Sequence, residues 1–325
     1  MKLSEISNFL KCDFIGESDH VITHISSYLN PKENSIVFIE KKCFLTDEIL
    51  KKSAVIINPT LLDSKVRKGN YILSKNAKID FAKLTKKFKY RQSKLDIFNC
   101  ELFPTLDFGK NFLIGKNVSI GENCSFGNNV SIQDNVSIGS NTRLMDNVVI
   151  CHGSILGDNC TIGYGSIIAS EGFGNVFFKN KWLHIHHLGN VQLGNNVSIG
   201  SNCNIDRGTI DNTIIEDGVI IDNQVHIAHN VRIGKNTAIA AKVGIAGSSL
   251  IGKRNMIGGM VGIVDHIKTS NDVIISATST VNKDLKEPGT YTGIMPISKH
   301  AIWKRIALWI TKLDKIAEFL NLKKI

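Results

Sequence analysis

Residues 114–137 read IGKNVS-IGENCS-FGNNVS-IQDNVS, four six-residue units opening at Ile114, Ile120, Phe126 and Ile132. The register continues through Ile138, Leu144, Ile150, Leu156, Ile162 and Ile168. Gly often follows the aliphatic residue, as at Gly115, Gly121 and Gly127, and Asn often stands three after it, as at Asn117, Asn123 and Asn129. The pattern breaks across residues 169–187, resumes at Leu193, Ile199 and Ile205, slips near Ile210, and runs again from Ile215 to Ile263. A fixed period held this long is the mark of a solenoid. Each unit reads as a short strand and a tight corner. The aliphatic residue points inward, and Asn or Gly takes the positive-φ corner conformation that other residues resist. Three units make one triangular coil of eighteen residues, and stacked coils pair as parallel strands about 4.8 Å apart. One coil cannot bury its own interior, so many must stack. The expectation is a parallel β-helix over residues 101–290.

Outside the repeat the chain changes character twice. Residues 1–100 carry apolar clusters, Ser35 to Phe38 and Ala54 to Asn58, that read as buried strands, and Leu45 to Lys52 and Ala82 to Phe88 read as helices. This predicts a small α/β domain. The basic stretch from Lys83 to Lys94 reads as a solvated connector, not a nucleic-acid surface. In residues 291–325, Ile302, Ile306, Trp309, Leu313, Ile316 and Leu320 follow a 4-3-4-3-4 spacing. That is a heptad seam, which must bury its stripe against something. Self-association in threes around a triangular β-helix is the expected cover. Of a net charge of +10, half lies after Pro296, where Lys299, Lys304, Arg305, Lys312, Lys315, Lys323 and Lys324 face only Asp314 and Glu318. Such a patch suits an acidic protein partner.

Composition sets the remaining limits. A low aromatic content of 7% beside 27 Gly fits repetitive β structure better than an α/β enzyme. No run of eighteen apolar residues occurs, so no spanning helix is expected and membrane contact is at most peripheral. Residues 1–14 lack the apolar core of a secretory signal, and a cytoplasmic location is expected. The seven cysteines, Cys12, Cys43, Cys100, Cys124, Cys151, Cys160 and Cys203, contain no CxxC pair. They read as reduced thiols filling small apolar positions.

Histidine stands out in walls made of aliphatics, Asn, Gly and Ser. His229 lies two after Ile227, Gly247 two after Ile245, and Asp265 two after Ile263, with His266 next to it. Steps of eighteen stack all of them on one edge. An imidazole base, a bare backbone N–H and a second imidazole on one ridge suit acyl transfer: the base takes a proton from the nucleophile and the N–H steadies the oxyanion. Asp206, Asp222 and Asp265 are all candidates to orient His229. No metal is expected. The trimeric β-helices that bind zinc use two His four residues apart on neighbouring corners, which this chain lacks, and His184, His186 and His187 fall in the break of the repeat.

With these residues in view, the chain resembles the UDP-3-O-acylglucosamine N-acyltransferase family of lipid A biosynthesis over nearly its whole length. The resemblance rests on Ile205 to Gly208, Ile221 to Gly234, Asn236 to Ala240, Gly244 to Ser248, Met256 to Gly259 and the His266 corner. Gly172 to Gly174 with Trp182, and Glu287 to Tyr291, extend it. It implies a left-handed β-helix, a hand that general chirality rules would not suggest. It also implies a homotrimer with active sites between neighbouring β-helices, and a 3-hydroxyacyl donor on the phosphopantetheine arm of acyl carrier protein, with no other cofactor. The acceptor would be the 2-amine of the UDP-sugar lipid UDP-3-O-(3-hydroxyacyl)-glucosamine. His229 matches the catalytic base, Gly247 the oxyanion amide, and His266 a second histidine near the substrate diphosphate. Phe38 and Phe44 match a pair of aromatics that grip uracil, with Lys41 in the intervening run where the family has an Asn-Pro-Lys-Tyr sequence. Three further departures are His226 for Gln, His186-His187 for Pro-Gln, and Thr280 near a bulky Met that limits acyl length in some members. Two other readings stand beside this one: an O-acyltransferase on UDP-N-acetylglucosamine or a sugar N-acetyltransferase using coenzyme A, and a non-enzymatic β-helical scaffold.

Overall fold

The computed structural model describes residues 1–41, 44–62, 68–97, 103, 105–293 and 297–320. Cys43 and Cys100 lie outside them. The chain forms two compact units, Met1–Thr292 and Gly293–Ile325.

The first unit opens with helix α1 (Leu3–Leu10) and a five-stranded sheet of β1 (Asp13–Ile15), β2 (His24–Ile25), β3 (Ser35–Ile39), β4 (Ser53–Ile57) and β5 (Tyr71–Leu73). Their order is β1-β5-β4-β3-β2, with β1 antiparallel to β5 and the other pairs parallel. Helices α2 (Asp47–Lys52) and α3 (Ala77–Phe88) complete it. Side chains alternate across β3: Ile36 and Phe38 join the cluster containing Leu3, Ile6 and Phe81, while Val37 and Ile39 join Ile49 and Tyr71.

The repeat builds three long sheets of ten, ten and seven strands, parallel throughout except for the edge strand Asp96–Ile97, which is antiparallel to Leu113–Ile114, and so forms the parallel β-helix expected. Along one of them Ile132, Ile150, Ile168, Ile205, Ile227, Ile245, Ile263 and Val281 pair in register as a continuous inward ladder. All are buried, and each contributes about 1.5–3 kcal/mol by leaving water. Cys124, Cys160 and Cys203 are buried free thiols at corners, each donating to a carbonyl of the next coil at 3.1–3.2 Å.

The corners meet the expectation and add to it. Asn takes the left-handed conformation from Asn111 to Asn236 with φ of 54–62°, and Gly153, Gly165 and Gly218 take it at the same corner position with φ of 67–72°. The Gly that follows the aliphatic residue serves a second purpose. A Cβ on Gly127 would fall 2.1 Å from Asp146 Oδ1, and one on Gly139 2.3 Å from Asp158 Oδ1. Those carboxylates accept the N–H of the next residue in the coil before, Asn128 N at 2.8 Å and Ser140 N at 2.7 Å. Glycine makes room for a side-chain cap passing from coil to coil.

Two irregularities interrupt the stack. Leu156 pairs with Leu193, 37 residues on, a coil of eighteen plus nineteen extra. The extra residues form an antiparallel hairpin, Asn175–Phe178 with Lys181–His184, turned at Lys179 and Asn180, both at positive φ. It packs against α3, where Ile185 joins Phe81 and Leu84 in one cluster. Leu193, Ile199 and Ile205 pair with residues 22 further on, so four extra residues lie in the slip near Ile210.

In the second unit the heptad stripe does not form one continuous helix. It divides into α4 (His300–Ile310) and α5 (Leu313–Phe319), with neither Gly nor Pro at the break. No residue of either helix is buried; Trp309 is 61% and Leu313 55% exposed. A short helix whose apolar stripe is uncovered lacks the packing that supplies most helical stability.

Candidate active site

The eighteen-residue step brings His229, Gly247 and His266 to one corner of the prism. Ser248 N donates to His229 O at 3.0 Å, and His266 N donates to Gly247 O at 3.0 Å. Asn230, Ser248 and His266 therefore occupy equivalent positions, all left-handed with φ of 59–61°. The His229 ring lies directly over Gly247: a Cβ there would come within 2.7 Å of Cε1 and 2.8 Å of Nε2. Only glycine admits the imidazole in this position.

The side-chain caps stop at this corner. At several other corners the residue two after the aliphatic one, such as Asn128, Asp146, Asp158 or Asn223, accepts the N–H of the coil before it, whereas Ala241 and Gly259 leave a neighbouring edge without such a cap. Here that position holds His229, Gly247 and Asp265. Among the described residues no acceptor is recorded for Gly247 N–H, and Asp265, whose side chain could have capped it, is exposed. Ala228 and Ala246 replace the clearance glycines, because no cap passes over them. The corner thus presents a free backbone donor beside an imidazole.

His229 is oriented by neutral groups. Its Nδ1 lies 3.1 Å from Asn230 Oδ1 and 3.3 Å from Thr209 Oγ1. An amide oxygen only accepts, so Nδ1 carries the proton and Nε2 keeps its lone pair. Asn230 also accepts Thr209 N at 3.0 Å and donates to Asp211 O at 2.8 Å, fastening the four-residue slip around the histidine. Of the three acids considered, none is hydrogen-bonded to His229 among the described residues. Asp222 accepts from its neighbour Asn223, and Asp265 is exposed. Asp206 is closest in effect. It is buried, accepts Ser170 Oγ at 2.8 Å and lies 3.6 Å from His226 Nε2. Burial pushes its carboxyl above the ordinary range, against the pull of Ser170, His226 and His229.

Two partners of His229 were invisible to periodicity. Thr209 lies in the slip, and Asn230 looks like any other corner Asn. A third neighbour comes from the end of the hairpin insertion. The His187 ring meets His229 edge to face with centroids 5.1 Å apart. It is 4% exposed, and its Nδ1 bonds Ile185 O at 3.1 Å. Burial, then the nearby His229, hold it down to about 4, so it is neutral at neutral pH.

The residues matched to uracil binding are not brought together as a pair. Phe38 stacks on Phe81, centroids 4.2 Å apart, on one face of the β3 sheet, and Phe44 stacks on Tyr28 at 4.5 Å on the cluster of the other face. Lys41 is exposed, and its carbonyl accepts Phe44 N at 3.1 Å. Thr280 is exposed and pairs with Gly262 in the last coils. It does not line an apolar groove of about 630 Å³ that runs over Ile220, Ala238, Met256 and Ile274 on a neighbouring wall. No helix among the described residues is long and apolar enough to cross a membrane.

Comparison with known proteins gives concordant results. The bacterial transferase hexapeptide family, of six repeats, matches residues 111–144, 135–170 and 212–247, which assigns the coil to the left-handed class. A UDP-3-O-acylglucosamine N-acyltransferase of Vesicomyosocius okutanii subsp. Calyptogena okutanii is 50% identical over 330 residues, 99% of this chain and 97% of the relative. A protein of the same name from Ruthia magnifica subsp. Calyptogena magnifica shows 50% identity over the same spans. The crystal structure of the Francisella novicida UDP-N-acetylglucosamine acyltransferase shares the fold. Its TM-score is 0.52 at 22% identity, covering 60% of this chain and 71% of that one.

Proposed function

The chain belongs to the UDP-3-O-acylglucosamine N-acyltransferase family, and on that premise we propose that it transfers a 3-hydroxyacyl group from acyl carrier protein to the 2-amine of UDP-3-O-(3-hydroxyacyl)-glucosamine. His229 is the general base. Its Nε2 takes a proton from the amine as the nitrogen attacks the thioester carbonyl and the C–N bond forms. Negative charge gathers on the carbonyl oxygen, where Gly247 N–H donates to it. The C–S bond then breaks, and the pantetheine thiolate recovers the proton from the imidazolium. His266, one coil further, is assigned to the substrate diphosphate. The observation that carries this reading is a Gly247 N–H without an acceptor among the described residues, directly under an imidazole whose Nε2 is left free by the bonds to Nδ1.

Other parts fit the same reaction. The apolar groove beside Met256 and Ile274 suits a fatty acyl chain. Phe38, Lys41 and Phe44 are the family's candidates for uracil, and a base would have to displace Phe81 or Tyr28 to stack on either ring, an interaction worth about 1–3 kcal/mol. The basic second unit suits the acidic carrier protein, and its apolar stripes suit a three-fold bundle. The test is product mass spectrometry with 3-hydroxyacyl carrier protein and amine-bearing or hydroxyl-bearing UDP-sugars. Amide product is expected only with the amine. His229→Ala should lower the rate by about 10²–10⁴-fold with the assembly intact. Full activity in that variant refutes the base, and ester product alone refutes the reaction.

A further inference from the structure

The hairpin insertion carries a group of side chains that the reaction above does not use. Glu171 follows the strand Ile167–Ser170, which is bulged between Ile168 and Ser170, with Ala169 at φ 67°. His184 closes the hairpin, and His186 lies two residues on. Glu171 Oε1 is 2.8 Å from His184 Nε2 and 3.1 Å from His186 Nδ1. One ligand atom from each of the three residues falls within 4.8 Å of the others.

We propose that Glu171, His184 and His186 form a divalent-metal site, with Zn²⁺ as its occupant, that fastens the hairpin to the wall of the β-helix. Zinc takes imidazole nitrogen and carboxylate oxygen at about 2.0–2.1 Å, so ligand atoms at tetrahedral corners stand about 3.3 Å apart. The two Glu–His separations need to open by only a few tenths of an ångström, and the two imidazole nitrogens, within 4.8 Å of each other, need to close toward the same spacing by turns of the side chains. The rings approach from different directions, with planes at 89° and centroids 4.8 Å apart, as corners of a tetrahedron do. His184 Nδ1 lies 3.3 Å from Asn175 Oδ1. That acceptor takes the Nδ1 proton and aims the Nε2 lone pair at the site, the usual outer support of a ligating histidine. Glu171 is 49% and His184 39% exposed, which leaves a fourth position for water. Two nitrogens and one oxygen suit Zn²⁺, whereas Mg²⁺ and Ca²⁺ prefer oxygen throughout.

Placement gives the site a purpose. His186 N donates to Thr85 Oγ1 of α3 at 3.1 Å, and the next residue, His187, packs on His229. A metal here would hold the bulged strand, the hairpin and α3 together beside the corner that holds the base. The proposal is independent of the reaction assigned above.

The test uses the untagged full chain, stripped with chelator and titrated with Zn²⁺ by calorimetry, then with Co²⁺ for its visible spectrum. One equivalent per chain is expected, with a Co²⁺ spectrum free of thiolate charge-transfer bands and a rise in thermal midpoint on adding Zn²⁺. Asn175→Ala should weaken binding by about 10–100-fold, and His184→Ala with His186→Ala should abolish both binding and the thermal shift. Circular dichroism confirms that each variant is folded. Absence of saturable Zn²⁺ binding overturns the proposal and leaves a hydrogen-bonded His–Glu–His cluster. Undiminished binding in the double variant, or thiolate bands with Co²⁺, overturns it by placing the metal elsewhere.

Discussion

His266 holds φ at 59° in a corner where most equivalent residues are Asn. An L-residue other than Gly or Asn gives up about 1–3 kcal/mol in that conformation, and Asn tolerates it by bonding locally. His266→Asn therefore separates chemistry from folding. The thermal midpoint should hold or rise slightly while acyl transfer falls and the KM for the UDP-sugar increases, as steady-state kinetics would report. His187 offers a test in pH. Folded, it titrates near 4, well below the ordinary value of 6.5. Between those values the unfolded chain binds a proton that folded His187 refuses, so stability falls as pH drops through this window. The slope is about 1.4 kcal/mol per pH unit for one proton. His152, also lowered to about 4 by burial and Arg207, adds a second. Denaturant midpoints at pH 7, 6 and 5 should decline in wild type, and His187→Gln should remove about one proton from the slope. The corner of His229, Gly247 and His266 was legible because His229 and Gly247 differ by one coil of eighteen and His266 adjoins Asp265, the next member of that column. Thr209 was not, because its reach depends on how the slip folds back. The orienting acid was sought among Asp206, Asp222 and Asp265, whereas the bonds fall to an amide and a hydroxyl.

At the scale of elements, each strand is held chiefly by its neighbours one coil away. Ile227 is fully buried between Ile205 and Ile245. Truncation to Ala leaves a cavity that the rigid ladder closes poorly, and a loss of about 2–5 kcal/mol is expected, measurable as a lower denaturant midpoint. Removal of one half-buried cap, Asp146→Ala, should stay near 1 kcal/mol. The hexad was legible to the residue because the inward period and the corner Asn repeat without compromise. Glycine was read for its freedom of φ, which Gly153, Gly165 and Gly218 use, but the sequence does not show that Gly127 and Gly139 are there to make room for a neighbour's side chain. The insertions appeared only as gaps in the pattern. Folded, both lead to His229, the hairpin bringing His187 and the slip bringing Thr209. The long heptad was equally clear as a pattern, yet α4 and α5 part at Thr311 and Lys312, because spacing specifies a face and not what covers it.

For the molecule as a whole, apolar residues left in water are the main indication of assembly. Ile302, Trp309, Leu313 and Leu320 are each at least 41% exposed in the second unit, and Ile220, Met256 and Ile274 line an open groove in the first. Sedimentation of the full chain is expected to give a trimer. Trp309→Asp with Leu313→Asp should shift the equilibrium toward monomer while far-UV circular dichroism keeps its β-helical signal; an unchanged trimer would locate the contacts in the β-helix alone. Partners of this kind were inferred from charge and stripe, which name a class of surface and not a geometry.

The three-sided winding also governs which changes of length the fold can absorb. Loss of eighteen residues from the coils between Phe126 and Leu156 shortens the prism by one layer and returns every later side chain to its original face. Loss of six swings all that follows through a third of a revolution, carrying the hairpin that meets α3 to the wrong side of the molecule. Viable insertions and deletions in this stretch are thus confined to whole layers, a restriction set by rotation and not by sequence.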